Sequence, residues 1–429
     1  MKLKTIIVLG LFFLYRAVSV FAGGKTDKFY YQNSIFQDEI KTVQFYRDGF
    51  ELSNPEYVLG GEAKLVFKFD DLAEDTKNYS YTIIHCDADW NESYIRQNEY
   101  LSDQFDIPIT DYAMSYNTTV KFVNYQVQIP NEECKPKISG NYALLVFENN
   151  DRNNLVLIQR FYVIEPLVRI EALVKKATFD PFNGANQEVD FKIFPDNLRL
   201  TNPGEDIKVV LMQNRRWDNC VRNLKPTNIT ENVLDYHYSK ENVFAGGNEF
   251  RFFDIRTSRH NGENVNSIQF YRPYYHATLN TDVVRQSKTY DPYVEMNGNF
   301  NIESQDRVSD YDTECDYEFV HFSLQMDSPL MGGSINVFGA LTGWNANKSN
   351  EMKWNFEHGQ YELSLLLKQG YYNYQYVYVP TGSTKIDATN IEGSFFITEN
   401  DYQIFAYYRE QGIRYDRLVG FVTVNSRVK

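Results

Sequence analysis

Cysteine is scarce. Cys86, Cys134, Cys220 and Cys315 are the only four in 429 residues, and none falls in a CxxC or CxH spacing that would hold zinc. A small fold built on disulfides is therefore excluded, while both paired and free thiols stay open. Positive charge is also short. There are 43 Lys and Arg against 57 Asp and Glu, and only 40 once Lys2, Lys4 and Arg16 of the first segment are set aside. Phosphate backbones and anionic lipids repel so acidic a chain, which argues against nucleic acid and direct membrane insertion. Beyond the first segment no apolar run is long enough to span a bilayer. Helical periodicity is rare, with SYIRQNEYLSDQ the best short candidate. Signatures such as GxSxG, HExxH and GxGxxG are absent. The six histidines, His85, His237, His260, His276, His321 and His358, show no ligand spacing. These absences argue against an enzyme and leave no cofactor or small-molecule substrate indicated.

What is abundant is aromatic. With 33 Tyr and 31 Phe, the composition suits pleated, half-buried surfaces. Short runs such as TVQFYRDG, EAKLVFKFDDL and YSYTIIHCDADW alternate apolar with polar residues and end in Gly, Asp or Asn. Asp70-Asp71 reads as a turn. The expected fold class is all-β, as tandem immunoglobulin-like or E-set-like β-sandwiches. Chain order suggests four segments. Residues 1–22 are a signal peptide, 23–166 an N-terminal immunoglobulin-like sandwich, 167–305 a central sandwich and 306–429 a C-terminal sandwich.

The first segment reads MKLKTIIVLGLFFLYRAVSVFAGG. A basic head precedes an apolar core from Ile6 to Tyr15 that is too short to span a membrane, and Val20-Phe21-Ala22 offers a small-residue cleavage site. Sec-type export with cleavage after Ala22 is expected. No cysteine follows that site, so a lipid anchor is not.

Two stretches invite a ligand. In HCDADWNESY, Asp87, Asp89 and Asn91 take positions one, three and five of a calcium loop. Glu92 stands where such a loop needs Gly, and Asn98 where it needs Glu, so a solvated turn without metal is expected. The other stretch, SINVFGALTGWN followed by GQYELSLLLKQGYYNYQYVYV, resembles the carbohydrate-binding modules of glycogen-branching enzymes and of the AMP-activated kinase β subunit. Sugar binding would require Trp344 or Trp354 as an exposed platform. Burial of Trp344 behind the tight Gly343 turn explains the pattern without sugar.

Nearly the whole chain after the first segment resembles the type IX secretion system plug protein family. LGGEAKLVFKFDDL, YSYTIIHCDADWNESYIRQNEYL, ITDYAMSYNTTVKFVNYQVQIPN, SGNYALLVF, VFGALTGWN, YELSLLLKQGYYNYQYVY, EGSFFITENDYQIFAYYRE and YDRLVG carry the resemblance, in the family's order. It implies a periplasmic protein without catalytic residues. Its expected partner is the large outer-membrane β-barrel translocon of that system, whose periplasmic opening it would seal between cargoes. The alternative is a secreted or periplasmic glycan-binding sandwich protein. Partner-contacting residues are not legible in the sequence.

Overall fold

The computed structural model describes residues 31–427 except 74, 103–104, 179–183, 231–232 and 307. The predicted signal peptide and its cleavage site lie outside the described residues. The chain is a set of β-sandwiches, with six sheets of mostly antiparallel strands packed in pairs around three large apolar cores.

The N-terminal sandwich faces a sheet containing Tyr79–Cys86, Gly140–Glu148 and Leu155–Ile164 against one of Ile40–Arg47, Leu65–Asp71, Val123–Ile129 and Asp111–Met114. Its core is dense in rings, among them Phe67, Phe69, Tyr79, Tyr125 and Tyr142. Asp70 and Asp71 are not in a turn. They end the strand Leu65–Asp71 and are fully buried.

The other two sandwiches do not follow chain order. Ile207–Gln213 pairs with Asp401–Tyr408, which pairs in turn with Arg417–Asn425. One core therefore joins Val189, Phe191 and Val209 to Tyr402, Ile404 and Val419. A separate core gathers residues from Phe253 to Ile391. The division expected at 305/306 is thus overturned: the sandwich built from 251–392 is inserted between the two halves of the central one. Alternation reveals where strands lie but not which strands pair, so sequence order misassigned the last two strands.

Alternation also understated burial. In Tyr79–Cys86 all eight residues are buried. Tyr79, Tyr81 and Ile83 point into the N-terminal core, while Ile84 and Cys86 point the other way. There they meet Val210, Met212, Phe405 and Tyr407 on the back of the central sandwich. Two sandwiches are therefore packed sheet on sheet, and the strands between them have no solvent face. All four cysteines are free thiols, with Cys86, Cys134 and Cys315 buried.

Candidate partner-binding surface

The two tryptophans of the sugar reading come first. Gly343 and Trp344 both adopt left-handed backbone conformations, with φ of 61° and 57°. This tight reversal folds the indole back to meet Phe338 and Phe250 edge-on, at 5.5 and 6.0 Å between centroids. A side chain at Gly298, where φ is +78°, would run into both Trp344 and Phe250. Trp344 is half-buried in this nest. Trp354 packs instead against Tyr361, in the core of the inserted sandwich, with exposed Phe356 beside it. The structure does not bring the two rings into contact among the described residues.

The Asp87 loop is a self-capped turn. Asp87 Oδ1 accepts the backbone N–H groups of Asp89 and Asn91 at 2.9 and 3.0 Å. Burial raises its carboxyl above the usual range, partly opposed by those bonds. Among the described residues no three His, Cys, Asp or Glu side chains gather as a metal site.

A seam between the N-terminal and inserted sandwiches carries a constellation that the sequence did not reveal. Lys368 Nζ lies 2.6 Å from Asp70 Oδ2, and both side chains are only 1% exposed. The Tyr317 hydroxyl donates to the same oxygen at 2.6 Å. The Asn124 amide donates to Oδ1 at 2.7 Å. Lys368 also donates to the Asp312 carbonyl at 2.6 Å and sits 4.2 Å from the centre of the Phe122 ring. A second pair, Lys68 with Asp312 at 2.5 Å, lies beside a cleft of about 470 Å³. Asp316 clamps the neighbouring loop by accepting from the backbone N–H groups of Thr119 and Val120. Burial and then Asp70 push the Tyr317 hydroxyl far above its ordinary range, so it stays a donor.

Exposed aromatic residues border this seam on both sides. The edge strand Asp111–Met114 is wholly exposed, and Tyr116 just beyond it is 71% exposed. Ser115 ties this strand to Phe122 in the seam through a backbone bond of 2.8 Å. Across the seam, the hairpin of Val265–Tyr271 and Tyr274–Leu279 raises Phe270 and Tyr271 at its tip. Tyr274 at the base of that tip packs into the same apolar cluster as Phe122 and Tyr317. Tyr116, Phe270 and Tyr271 thus flank one joint whose geometry is fixed by buried charge, while Tyr112 and Met114 lie on the other face of their strand, beside Tyr125 and Val123.

The family pattern described as "Type 9 secretion system plug protein 1st domain" matches residues 40–165. That range coincides with the N-terminal core and carries Asp70 and the exposed edge strand. A crystal structure of a hypothetical protein from Parabacteroides merdae ATCC 43184 matches with a TM-score of 0.89 at 38% identity, covering 93% of this chain and 100% of the other. The chain belongs to the type IX secretion system plug protein family. No curated protein matches it. In this plug-family chain the matched domain makes both seams, one with the central sandwich and one with the inserted sandwich. The signals for the second seam were faint. Charged residues inside the apolar run LVFKFDD and a lysine closing YELSLLLK were the only hints.

Proposed function

We propose that the mature protein is a non-catalytic periplasmic plug. It binds the periplasmic opening of the type IX outer-membrane translocon barrel and closes it when no cargo is present. Family membership carries this reading. The exposed aromatic surface on either side of the charged seam supports it, since aromatic residues are enriched in protein interfaces. We assign the contact to Tyr116, Phe270 and Tyr271. No helix among the described residues is long and apolar enough to cross a membrane. With an excess of acidic side chains, recognition rests on shape and aromatic contact rather than on attraction to lipid. The glycan-binding alternative needs Trp344 or Trp354 as an exposed platform; both are half-buried, Trp344 against Phe338 and Phe250 and Trp354 against Tyr361, which favours the protein-contact reading.

The test is purification of the translocon under cargo-free conditions, together with deletion of this gene. The protein should co-purify, and deletion should admit large antibiotics or dyes while secretion continues at least in part. Absence from the complex, with a membrane as tight as before, would overturn the proposal.

A further inference from the structure

Parallel pairing of Tyr274–Leu279 with Tyr317–Gln325 brings together two histidines that lie 45 residues apart in sequence. His276 Nδ1 and His321 Nε2 stand 2.9 Å apart on the outer face of the inserted sandwich's larger sheet. Their rings are parallel within 8°. Phe319 stacks on His276 at 5.3 Å, and Tyr271 meets it edge-on at 5.4 Å. His321 Nδ1 is 2.7 Å from the Ser364 hydroxyl on the next strand. When Nδ1–H donates to Ser364, the tautomer of His321 leaves the Nε2 lone pair free. Both rings are partly exposed, so the pair is open to solvent.

The spacing is that of an N–H···N hydrogen bond, and it also lies within the range of two ligands on one ion. With metal–nitrogen bonds of about 2.0–2.1 Å, ligands at roughly 90° stand about 2.9 Å apart, whereas tetrahedral ligands stand about 3.4 Å apart. The two nitrogens therefore need only a small ring rotation to take neighbouring positions on a square-planar or tetragonal ion. We propose that His276 and His321 form a two-nitrogen site for a divalent transition metal with tetragonal preference, copper(II) above all. On binding, His276 moves its bridging proton from Nδ1 to Nε2. The rings turn so that both lone pairs converge on the ion, and two of its waters leave. The protein loses no net proton. No third His, Cys, Asp or Glu joins the pair among the described residues, so water completes the shell. This assignment does not depend on the plug reading.

The experiment is copper(II) titration of the folded mature protein in a non-coordinating buffer at pH 7.5, read by electron paramagnetic resonance and tryptophan quenching. One ion bound through two nitrogens is expected. His276→Gln and His321→Gln should each remove that two-nitrogen signal while leaving the circular dichroism unchanged. Ser364→Ala should weaken binding by about tenfold. His237→Ala and His358→Ala, at the two histidines paired with Asp235 and Glu362, should change nothing. Three results would overturn the proposal. They are no binding by the parent protein, a two-nitrogen signal that survives both glutamine variants, or a signal lost only in His237→Ala or His358→Ala.

Discussion

The N-terminal sandwich is held by two seams made of opposite materials. Toward the central sandwich it presents Trp90, Tyr162 and Ile164 to Trp217, Phe405 and Leu418, with rings as close as 4.9 Å. Toward the inserted sandwich it presents Asp70 and Lys68 to Lys368 and Asp312. Apolar burial is strong but carries little direction. A buried ion pair adds little net stability, yet its hydrogen bonds accept only one register. The first seam therefore holds the two sandwiches together. The second sets the angle between the exposed rings of Tyr116 and Tyr271.

The strongest attack on this contrast is Trp90→Ala. The indole is fully buried, with Arg160 4.2 Å from its ring centre. A loss of about 3–5 kcal/mol is expected in denaturant unfolding, and no second substitution on the central sandwich should restore it. Lys368→Met comes next, at roughly 3 kcal/mol, because it leaves Asp70 buried without its cation. Here a partner change should rescue: Asp70→Asn combined with Lys368→Met should recover most of the loss. If the double variant is no better than the single one, the seam is not an ion pair in energetic terms.

Glu318 tests the inserted side by pH. It lies next to Tyr317, is 1% exposed, and accepts no hydrogen bond among the described residues. Burial first, then Asp316 and Asp306, push its carboxyl from 4.5 up to about 8. The folded state thus keeps a proton that the unfolded chain sheds, so stability falls as pH rises from about 4.5 to about 8 and then levels off. Glu318→Gln should flatten that fall, gaining on the order of 5 kcal/mol at pH 9 and almost nothing at pH 4. An unchanged slope in thermal unfolding between pH 5 and 8 would refute it. The smallest effect on stability belongs to Tyr116→Ser with Tyr271→Ser, within about 0.5 kcal/mol of the parent. The same pair should abolish co-purification with the translocon. Binding that survives it would move the contact away from the charged seam.

Strand positions were legible because period-two patterning and turn residues mark them locally. Runs such as YELSLLLK and YNYQYVYV appear in the structure as Gln360–Lys368 and Gly370–Pro380. Pairing was not legible, because nothing local tells Asp401–Tyr408 to join a strand near residue 210 rather than its neighbours. The same blindness hid the seam. Asp70 looked like a turn residue until Lys368, far along the chain, was seen against it. The histidine pair was missed for that reason too, since spacing along a chain says nothing about parallel neighbours. Trp344 was better marked, because Gly343 announces the reversal that tucks its ring inward.

The insertion sets an order of assembly. Ile207 finds its partner Tyr408 only after a closure of about 200 residues, a slow step by loop entropy. The N-terminal and inserted sandwiches draw their cores from contiguous stretches and can form before the last strands join. The central one waits for its last two strands, and until they arrive Ile84, Tyr162 and Ile164 have only part of their cover. A chain truncated before residue 401 would therefore keep two finished modules and expose one sticky, ring-studded sheet, the kind of half-built species that chaperones hold and proteases remove.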